Sequence, residues 1–163
     1  MSAPPLLRRL ACFVYEGVLL FGVVMVAGFA YATLTHQRHA LVGTTGLQVV
    51  LFFVLGGYFA GFWSRGGQTL AMQTWRIRLL TTAGQPVSAA RALVRYLLSW
   101  LWFLPALAIV YYSGLKGALP IFATLGAGVL AYAALSRLHP RRLYLHDALC
   151  GTQLVNSQPV RKG

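Results

Sequence analysis

Residues 10–33 read LACFVYEGVLLFGVVMVAGFAYAT, an apolar run that is interrupted by one acidic side chain, Glu16. A helix needs roughly 20 apolar residues to cross a hydrocarbon core about 30 Å thick. The run is long enough for this, so it predicts a membrane-spanning helix. The position of a glutamate inside it needs a separate explanation.

The composition of the whole chain supports a membrane protein. The sequence has 163 residues, of which 58% are hydrophobic and 10% are charged, whereas soluble domains carry about 25% charged residues. The formal net charge is +12, which by itself would suggest a nucleic-acid-binding protein. The basic residues, however, form short clusters between long apolar stretches. A membrane protein with basic flanks accounts for both features, and we expect no nucleic-acid partner.

Three more apolar stretches follow the first, at residues 46–63, 96–113 and 118–135. None of the four stretches has the polar face that a helix on the surface of a soluble protein would show. The sequence therefore predicts an all-α membrane protein with four transmembrane helices, built as a single domain over residues 1–163.

The basic residues also predict the orientation. Loops rich in Lys and Arg stay on the cytoplasmic side of a membrane. If both termini are cytoplasmic, twelve of the 14 basic residues lie on that side, and the outer side keeps Arg38 and Lys116. We expect a multi-pass protein of a bacterial inner membrane, with arginines that bind anionic lipid headgroups on the cytoplasmic face.

Two segments outside the spans have patterns of their own. In residues 75–80, Trp75, Ile77 and Leu79 alternate with Arg76, Arg78 and Leu80, a period near two that is typical of a short strand. Residues 152–155 are apolar and β-branched enough to pair with it. We expect a β-hairpin-like segment at the membrane interface, with its tryptophan and isoleucine toward lipid and with Arg76 and Arg78 toward phosphate. Residues 143–150 are expected to form an amphipathic segment that ends at Gly151.

Other candidate sites have weak signals. His36 and His39 have a spacing that two metal ligands could use, but no third ligand is near. Cys12 and Cys150 are expected in a reducing environment, and neither belongs to a CxxC pattern. No HExxH, GxSxG or P-loop pattern occurs. We therefore expect no metal, no cofactor and no enzymatic activity.

The two acidic residues of the chain are Glu16 and Asp147. Glu16 follows Arg9 by two helical turns, so it shares a helix face with Arg9 and lies roughly 10 Å deeper in the membrane. Asp147 is placed at the cytoplasmic boundary. A charge inside the hydrocarbon costs about 2.5–3.5 kcal/mol. Because the chain avoids acidic residues elsewhere, we take both carboxylates as site residues.

Three motifs around these residues make the sequence resemble the RDD family of small multi-pass membrane proteins. The first resembling motif is an arginine followed seven positions later by an acid, here Arg9 and Glu16. The second is the stretch from Gly67 to Met72, which contains Thr69, and the strand after it. The third spans residues 145–152, LHDALCGT, and contains Asp147. The resemblance covers nearly the whole chain and implies that these motif residues form the site.

Two hypotheses for the function remain open. In the first, the protein is a membrane scaffold or assembly module, and ion pairs inside the membrane fix how its helices pack. Glu16 would pair with Arg91 or Arg95, and Asp147 would pair with one of three arginines, Arg9, Arg76 or Arg78. Gly57 and Gly61 have the GxxxG spacing of close helix contacts, so we expect a homo-oligomer or a complex with another membrane protein.

In the second hypothesis, Glu16 and Asp147 exchange protons for cations. The resemblance implies this alternative, since some RDD-family members are described as cation/proton antiporters. His146 lies next to Asp147, but neighbours on a helix point about 100° apart, so we do not expect the two side chains to be in contact.

Overall fold

The structure, a computed structural model, describes residues 3–36, 44–140 and 143–157. It contains four helical segments that are long and apolar enough to cross a membrane, as the sequence predicts. Their bounds are Leu6–Leu34 (α1), Thr44–Arg65 (α2), Ala89–Tyr112 and Ala118–Leu135 (α6). The fourth segment has the predicted bounds, and α1 and α2 extend a few residues beyond the predicted ones.

The third segment differs most from its prediction of 96–113. It begins at Ala89 as α4 (Ala89–Ser99), tightens into a 3₁₀ turn over Trp100–Trp102, and continues as α5 (Leu104–Tyr112). The break precedes Pro105, which has no amide hydrogen to donate to the preceding turn. The apolar stretch from residue 96 covers only part of this segment, because Arg91 and Arg95 interrupt the apolar pattern, although both lie within the helix.

Glycines set two of the close contacts between spans. A Cβ atom added to Gly56 in α2 would lie 3.0 Å from the Tyr96 ring, so α2 and α4 pack closely there. A Cβ atom added to Gly128 in α6 would lie 2.6 Å from Ala106 Cβ, which shows a similar close approach of α5 and α6. α1 packs on α2 and on the short helix α3 (Leu70–Thr74).

Two remote segments form the predicted antiparallel pair of strands. β1 (Ile77–Thr81) pairs with β2 (Thr152–Asn156), and Leu79 is opposite Leu154. Ile77 and Leu79 are buried inside the protein. The expectation that the isoleucine faces lipid was therefore wrong, because α3 and the spans cover this face of the sheet. Arg76 and Arg78 are exposed.

The last helix, α7 (Leu145–Cys150), ends at Gly151, which has φ 62° and caps the helix as predicted. Its polar residues His146 and Asp147 are buried, whereas Leu145 and Leu149 are exposed. The polar side of this amphipathic segment therefore faces the protein. α3, α7 and the two strands lie where α1 begins and α2 ends, and we call this the sheet end of the molecule.

Two of the predictions depend on residues that the structure does not describe: the orientation in the membrane and the pairing of His36 with His39 as metal ligands. Of the basic residues used to predict the orientation, Arg38, Arg141, Arg142, Arg161 and Lys162 lie outside the described residues. His39, one of the two histidines considered as metal ligands, lies outside them as well. The cytoplasmic placement of both termini stays a prediction.

Candidate functional site

Asp147 lies at the centre of a buried polar cluster at the sheet end. Asp147 is 1% exposed. Arg95 Nε donates a hydrogen bond to Asp147 Oδ1 at 2.7 Å, and the Thr152 hydroxyl donates to the same oxygen at 2.9 Å. The cluster thus joins α4, α7 and β2 through one carboxylate. Thr152 is close because the left-handed Gly151 turns the chain from α7 directly into β2.

His146 connects this cluster to α6. Arg95 Nη2 lies 3.3 Å from His146 Nε2. Since a guanidinium only donates, Nε2 must accept, and the proton of the neutral ring is then on Nδ1. Nδ1 lies 2.9 Å from the Tyr132 hydroxyl oxygen, which also accepts from the His146 backbone N–H at 3.1 Å.

The electrostatics of the cluster favour an ionised aspartate beside a neutral histidine. Burial lowers the pKa of His146 to about 4; the Asp147 charge opposes this shift and the Arg95 charge adds to it. Burial alone would raise the pKa of Asp147, but the charge of Arg95 and its hydrogen bond outweigh burial and hold that pKa below its usual value. Arg95 also lies over the Trp63 ring at 4.2 Å, a cation–π contact with α2.

His146 Nε2 lies 3.7 Å from Asp147 Oδ1. The expectation that these neighbours would not meet was therefore wrong. Both side chains turn toward the Arg95 guanidinium, which brings their polar atoms together.

Glu16 forms the second polar cluster, inside the spans, and it is 8% exposed. The Tyr58 hydroxyl donates to Glu16 Oε1 at 2.8 Å, and the Thr69 hydroxyl donates to Glu16 Oε2. Thr69 also accepts from the Met72 backbone N–H at 3.3 Å and so caps α3. This carboxylate therefore joins α1, α2 and α3.

The predicted arginine partners of the two carboxylates differ from the observed contacts, although the candidate partner Thr69 does contact Glu16. Arg95 was assigned to Glu16, yet it pairs with Asp147, and Arg91 is exposed. Arg9, Arg76 and Arg78 were assigned to Asp147. Of these, Arg76 and Arg78 are exposed at the surface.

Arg9 contacts the segment that follows α6. Its guanidinium stacks over the Tyr144 ring at 4.5 Å, and its Nη2 donates to Ser136 Oγ at 3.4 Å. Its neighbour Arg8 donates to Asn156 Oδ1 at 3.0 Å. These contacts join the start of α1 to the segment after α6 and to β2.

Sequence reasoning missed three residues of the site. Tyr58 and Tyr132 give no local signal, since tyrosine is common within membrane spans. Thr152 is part of the third motif but was not predicted to be a partner of Asp147. Thr69, which the motif indicated as a candidate partner, does contact Glu16.

A cavity of about 450 Å³ lies between the two polar clusters and the spans. Glu16, Arg9, Arg95 and His146 contribute to its wall, and the rest of the wall is mainly aromatic and aliphatic. Within the described parts of the chain, no group of three or more His, Cys, Asp or Glu side chains could hold a metal ion.

The three resembling motifs thus meet at one end of the spans. A family model for the RDD family matches residues 3–151. The chain belongs to the RDD family. No curated protein and no solved structure matches it. As an RDD protein with four apolar helices, it is an integral multi-pass membrane protein.

The contacts at this site connect residues of the RDD-family motifs. The arginine of the first motif, Arg9, contacts Tyr144 just before the third motif, while the acid of the first motif, Glu16, contacts Thr69 of the second. The first motif therefore contacts the second through Glu16 and the residue before the third through Arg9, although the motifs are far apart in sequence.

Proposed function

We propose that this RDD protein is an interaction or assembly module of the bacterial inner membrane, in which the two buried carboxylates hold three of the spans and a cytoplasmic sheet end in one arrangement. The observation that carries this proposal is that each carboxylate joins three separate elements. Asp147 links α4, α7 and β2, and Glu16 links α1, α2 and α3. Contacts of this kind hold the joined elements in fixed relative positions, as an assembly module requires.

One face of α2 suits an interaction between two copies of the chain. A Cβ atom added to Gly57 or Gly61 would meet no atom within 4 Å, so these glycines take no part in the packing of α2 on α1 and α4. Small residues on a helix surface allow another helix to approach closely in a membrane. We propose that a second copy of the chain packs on this face.

The test is to measure self-association in liposomes by single-molecule photobleaching. We expect wild type to form dimers, and we expect the double variant Gly57→Leu/Gly61→Leu to shift the protein to monomers, because leucine side chains hold the helices apart. Gly126→Leu in α6 is the matched control, since a Cβ atom at Gly126 also meets nothing within 4 Å. A monomeric wild type at all protein densities would overturn the proposal.

Lipid contacts belong to the same proposal. The exposed arginines at the sheet end are proposed to bind anionic headgroups, which attract basic residues by about 1 kcal/mol each near a membrane surface. They include Arg65, Arg76, Arg78 and Arg91. Because the protein is integral to the membrane, its binding to added vesicles cannot be measured by flotation. The measurement is the amount of anionic lipid that stays bound to the protein after purification in mild detergent.

A cation/proton exchanger is the second candidate. It is favoured by one observation, that Glu16 lines the cavity and that the donors to its carboxylate are hydroxyl groups. Asp147 suits this role less, because Arg95 lowers its pKa and keeps it ionised.

The test of this second function uses protein reconstituted in liposomes that contain a pH-sensitive dye. Exchange predicts proton flux after a sodium pulse in wild type and loss of that flux in Glu16→Gln. Absence of flux in wild type would exclude sodium/proton exchange, and flux that survives Glu16→Gln would exclude Glu16 as the carrier.

A further inference from the structure

The cavity between the spans has the size of a ligand site. Its volume of about 450 Å³ lies in the range of small-molecule pockets, which is roughly 300–1,000 Å³. Residues of α1, α2 and the third span form its apolar wall, namely Phe13, Leu20, Leu55, Phe59, Trp100 and Phe103. An apolar wall of this kind fits a hydrocarbon chain.

The cavity also has the length of one membrane leaflet. Its wall on α1 runs from Arg9 to Leu20, which is about 16 Å at 1.5 Å per residue. Half of a hydrocarbon core about 30 Å thick is about 15 Å. Val14 and Gly17 contribute to the wall and are exposed at the surface of α1. The cavity therefore opens toward the membrane, where lipid chains surround the protein.

Charges lie at one end of this cavity. Arg9 and Arg95 contribute to the wall at the sheet end, whereas Asp147, which pairs with Arg95, does not. Arg95 uses Nε and Nη2 for Asp147 and His146, and Nη1 makes no hydrogen bond within the described part of the chain. The wall thus contains two guanidinium groups, those of Arg9 and Arg95, and the Glu16 carboxylate. This end suits a phosphate, which guanidinium groups bind well.

We propose that the cavity binds one acyl chain of a membrane phospholipid, whose phosphate lies at the sheet end beside Arg9 and Arg95. The apolar wall accommodates the chain, and its length matches one leaflet. The guanidinium donors of Arg9 and Arg95 favour a headgroup that carries a phosphate over one that lacks it. This site does not depend on the proposed function, since a monomer or a dimer could carry it. It differs from the surface arginines, because the chain would lie inside the protein.

The first experiment is native mass spectrometry of the full protein purified in a mild detergent. After an extended detergent wash that removes lipid from the exposed arginines, we expect wild type to retain one phospholipid. Gly17→Phe should reduce the retained lipid by about tenfold, since the ring occupies space that methylene groups of the chain would fill. An added Cβ atom at Gly17 meets no atom within 4 Å, so the side chain can enter without displacing backbone.

Gly22→Phe is the matched control, because Gly22 lies on the same helix, is equally open and does not line the cavity. Gly17→Leu provides a smaller filling side chain if the phenylalanine variant is not stable. Equal lipid retention in the Gly17 and Gly22 variants would overturn the proposal, as would a wild type that carries detergent only.

The second experiment tests the headgroup. Delipidated protein is titrated with phosphatidylglycerol and with diacylglycerol that has the same chains. We expect phosphatidylglycerol to bind about tenfold more tightly, because the two guanidinium groups contact its phosphate. Equal affinity for the two lipids would overturn the phosphate assignment. Binding of free inorganic phosphate with the same affinity as the lipid would overturn the acyl-chain assignment.

Discussion

The two carboxylates of this protein are both buried, yet they have different kinds of partner. Asp147 is ion-paired with Arg95 and accepts a second bond from Thr152. Glu16 accepts hydrogen bonds from the hydroxyl groups of Tyr58 and Thr69. Asp147 lies in a closed network near the strands, whereas Glu16 borders a cavity within the spans.

This difference shows that a buried acid can be stabilised by compensating charge or by neutral donors, and that the two solutions respond differently to mutation. When one member of the Asp147–Arg95 pair is removed, the other remains as an uncompensated buried charge. When Glu16 is neutralised, two hydroxyl groups remain that can form other hydrogen bonds. The consequences for stability should therefore be unequal.

Arg95→Met should have the largest effect. The substitution leaves Asp147 buried without its guanidinium partner, which typically costs about 3–5 kcal/mol. Thermal or denaturant unfolding of the purified protein in detergent measures this loss. Arg91→Met is the control, because Arg91 is exposed on the same helix and surface substitutions usually change stability by less than about 0.5 kcal/mol.

The double variant Arg95→Met/Asp147→Leu sharpens the same test. Replacing both partners of a buried pair by apolar residues is often close to neutral, so the double variant should be more stable than Arg95→Met alone. If the double variant is no better, the ion pair is not the source of the loss, and the contact of Arg95 with Trp63 would have to account for it.

Acid should weaken the Asp147 cluster through His146. The pKa of His146 is lowered by burial from 6.5 to about 4 in the folded protein, so the unfolded chain binds more protons between these two values. Stability is then fully present above about pH 6.5 and decreases as the pH falls toward about 4, by roughly 3 kcal/mol in total. Unfolding measured across this pH range tests the prediction.

His146→Gln is the control for the pH experiment, because glutamine has no titratable group. Its stability should change less with pH between about 6.5 and 4 than that of wild type. The remaining change at lower pH should come from Asp147, whose lowered pKa makes the folded state lose stability when the carboxylate is protonated. An unchanged slope in His146→Gln would contradict the assignment to the histidine.

Much of the fold could be predicted from the sequence, because a membrane span requires little more than length and apolar composition. The span 118–135 was predicted at its observed bounds, and the pairing of β1 with β2 followed from short patterns of alternation and β-branching. The apolar stretch from residue 96 misses the first turns of the third helical segment, which begins at Ala89. Arg95 is polar in sequence, and only its tertiary contacts show that it lies inside.

The site could be predicted in part. Glu16 and Asp147 are the only acidic residues of the chain, so they were easy to single out. Their partners could not be identified from the sequence, because charge alone does not distinguish one arginine from another. Charge also predicts an arginine as the partner of Glu16, where the structure has two hydroxyl groups. The Tyr58 hydroxyl reaches Glu16 only because α1 and α2 are neighbours in space, which no local pattern reports.

Gly67→Ala tests the turn at Gly67, which precedes Thr69 of the Glu16 cluster. Gly67 has φ 68°, and a Cβ atom there would lie 2.6 Å from the Leu79 carbonyl oxygen. Left-handed strain in a non-glycine residue costs about 1–3 kcal/mol, so we expect a loss of stability in this range. Gly66→Ala is the control, since its nearest atom is 4.0 Å away. Equal losses in the two variants would contradict the structure of this turn.

Glu16→Gln should have the smallest effect of the series. The glutamine carbonyl can still accept one of the two hydroxyl hydrogen bonds, and the lost charge no longer has to be buried, so we expect a change of about 1 kcal/mol or less. Unfolding in detergent measures it alongside Arg95→Met. Tyr58→Phe and Thr69→Val remove the donors one at a time and should each have an effect of about 1 kcal/mol. If Glu16→Gln instead destabilises the protein as much as Arg95→Met does, the carboxylate has a charged partner, and the contrast between the two acids is lost.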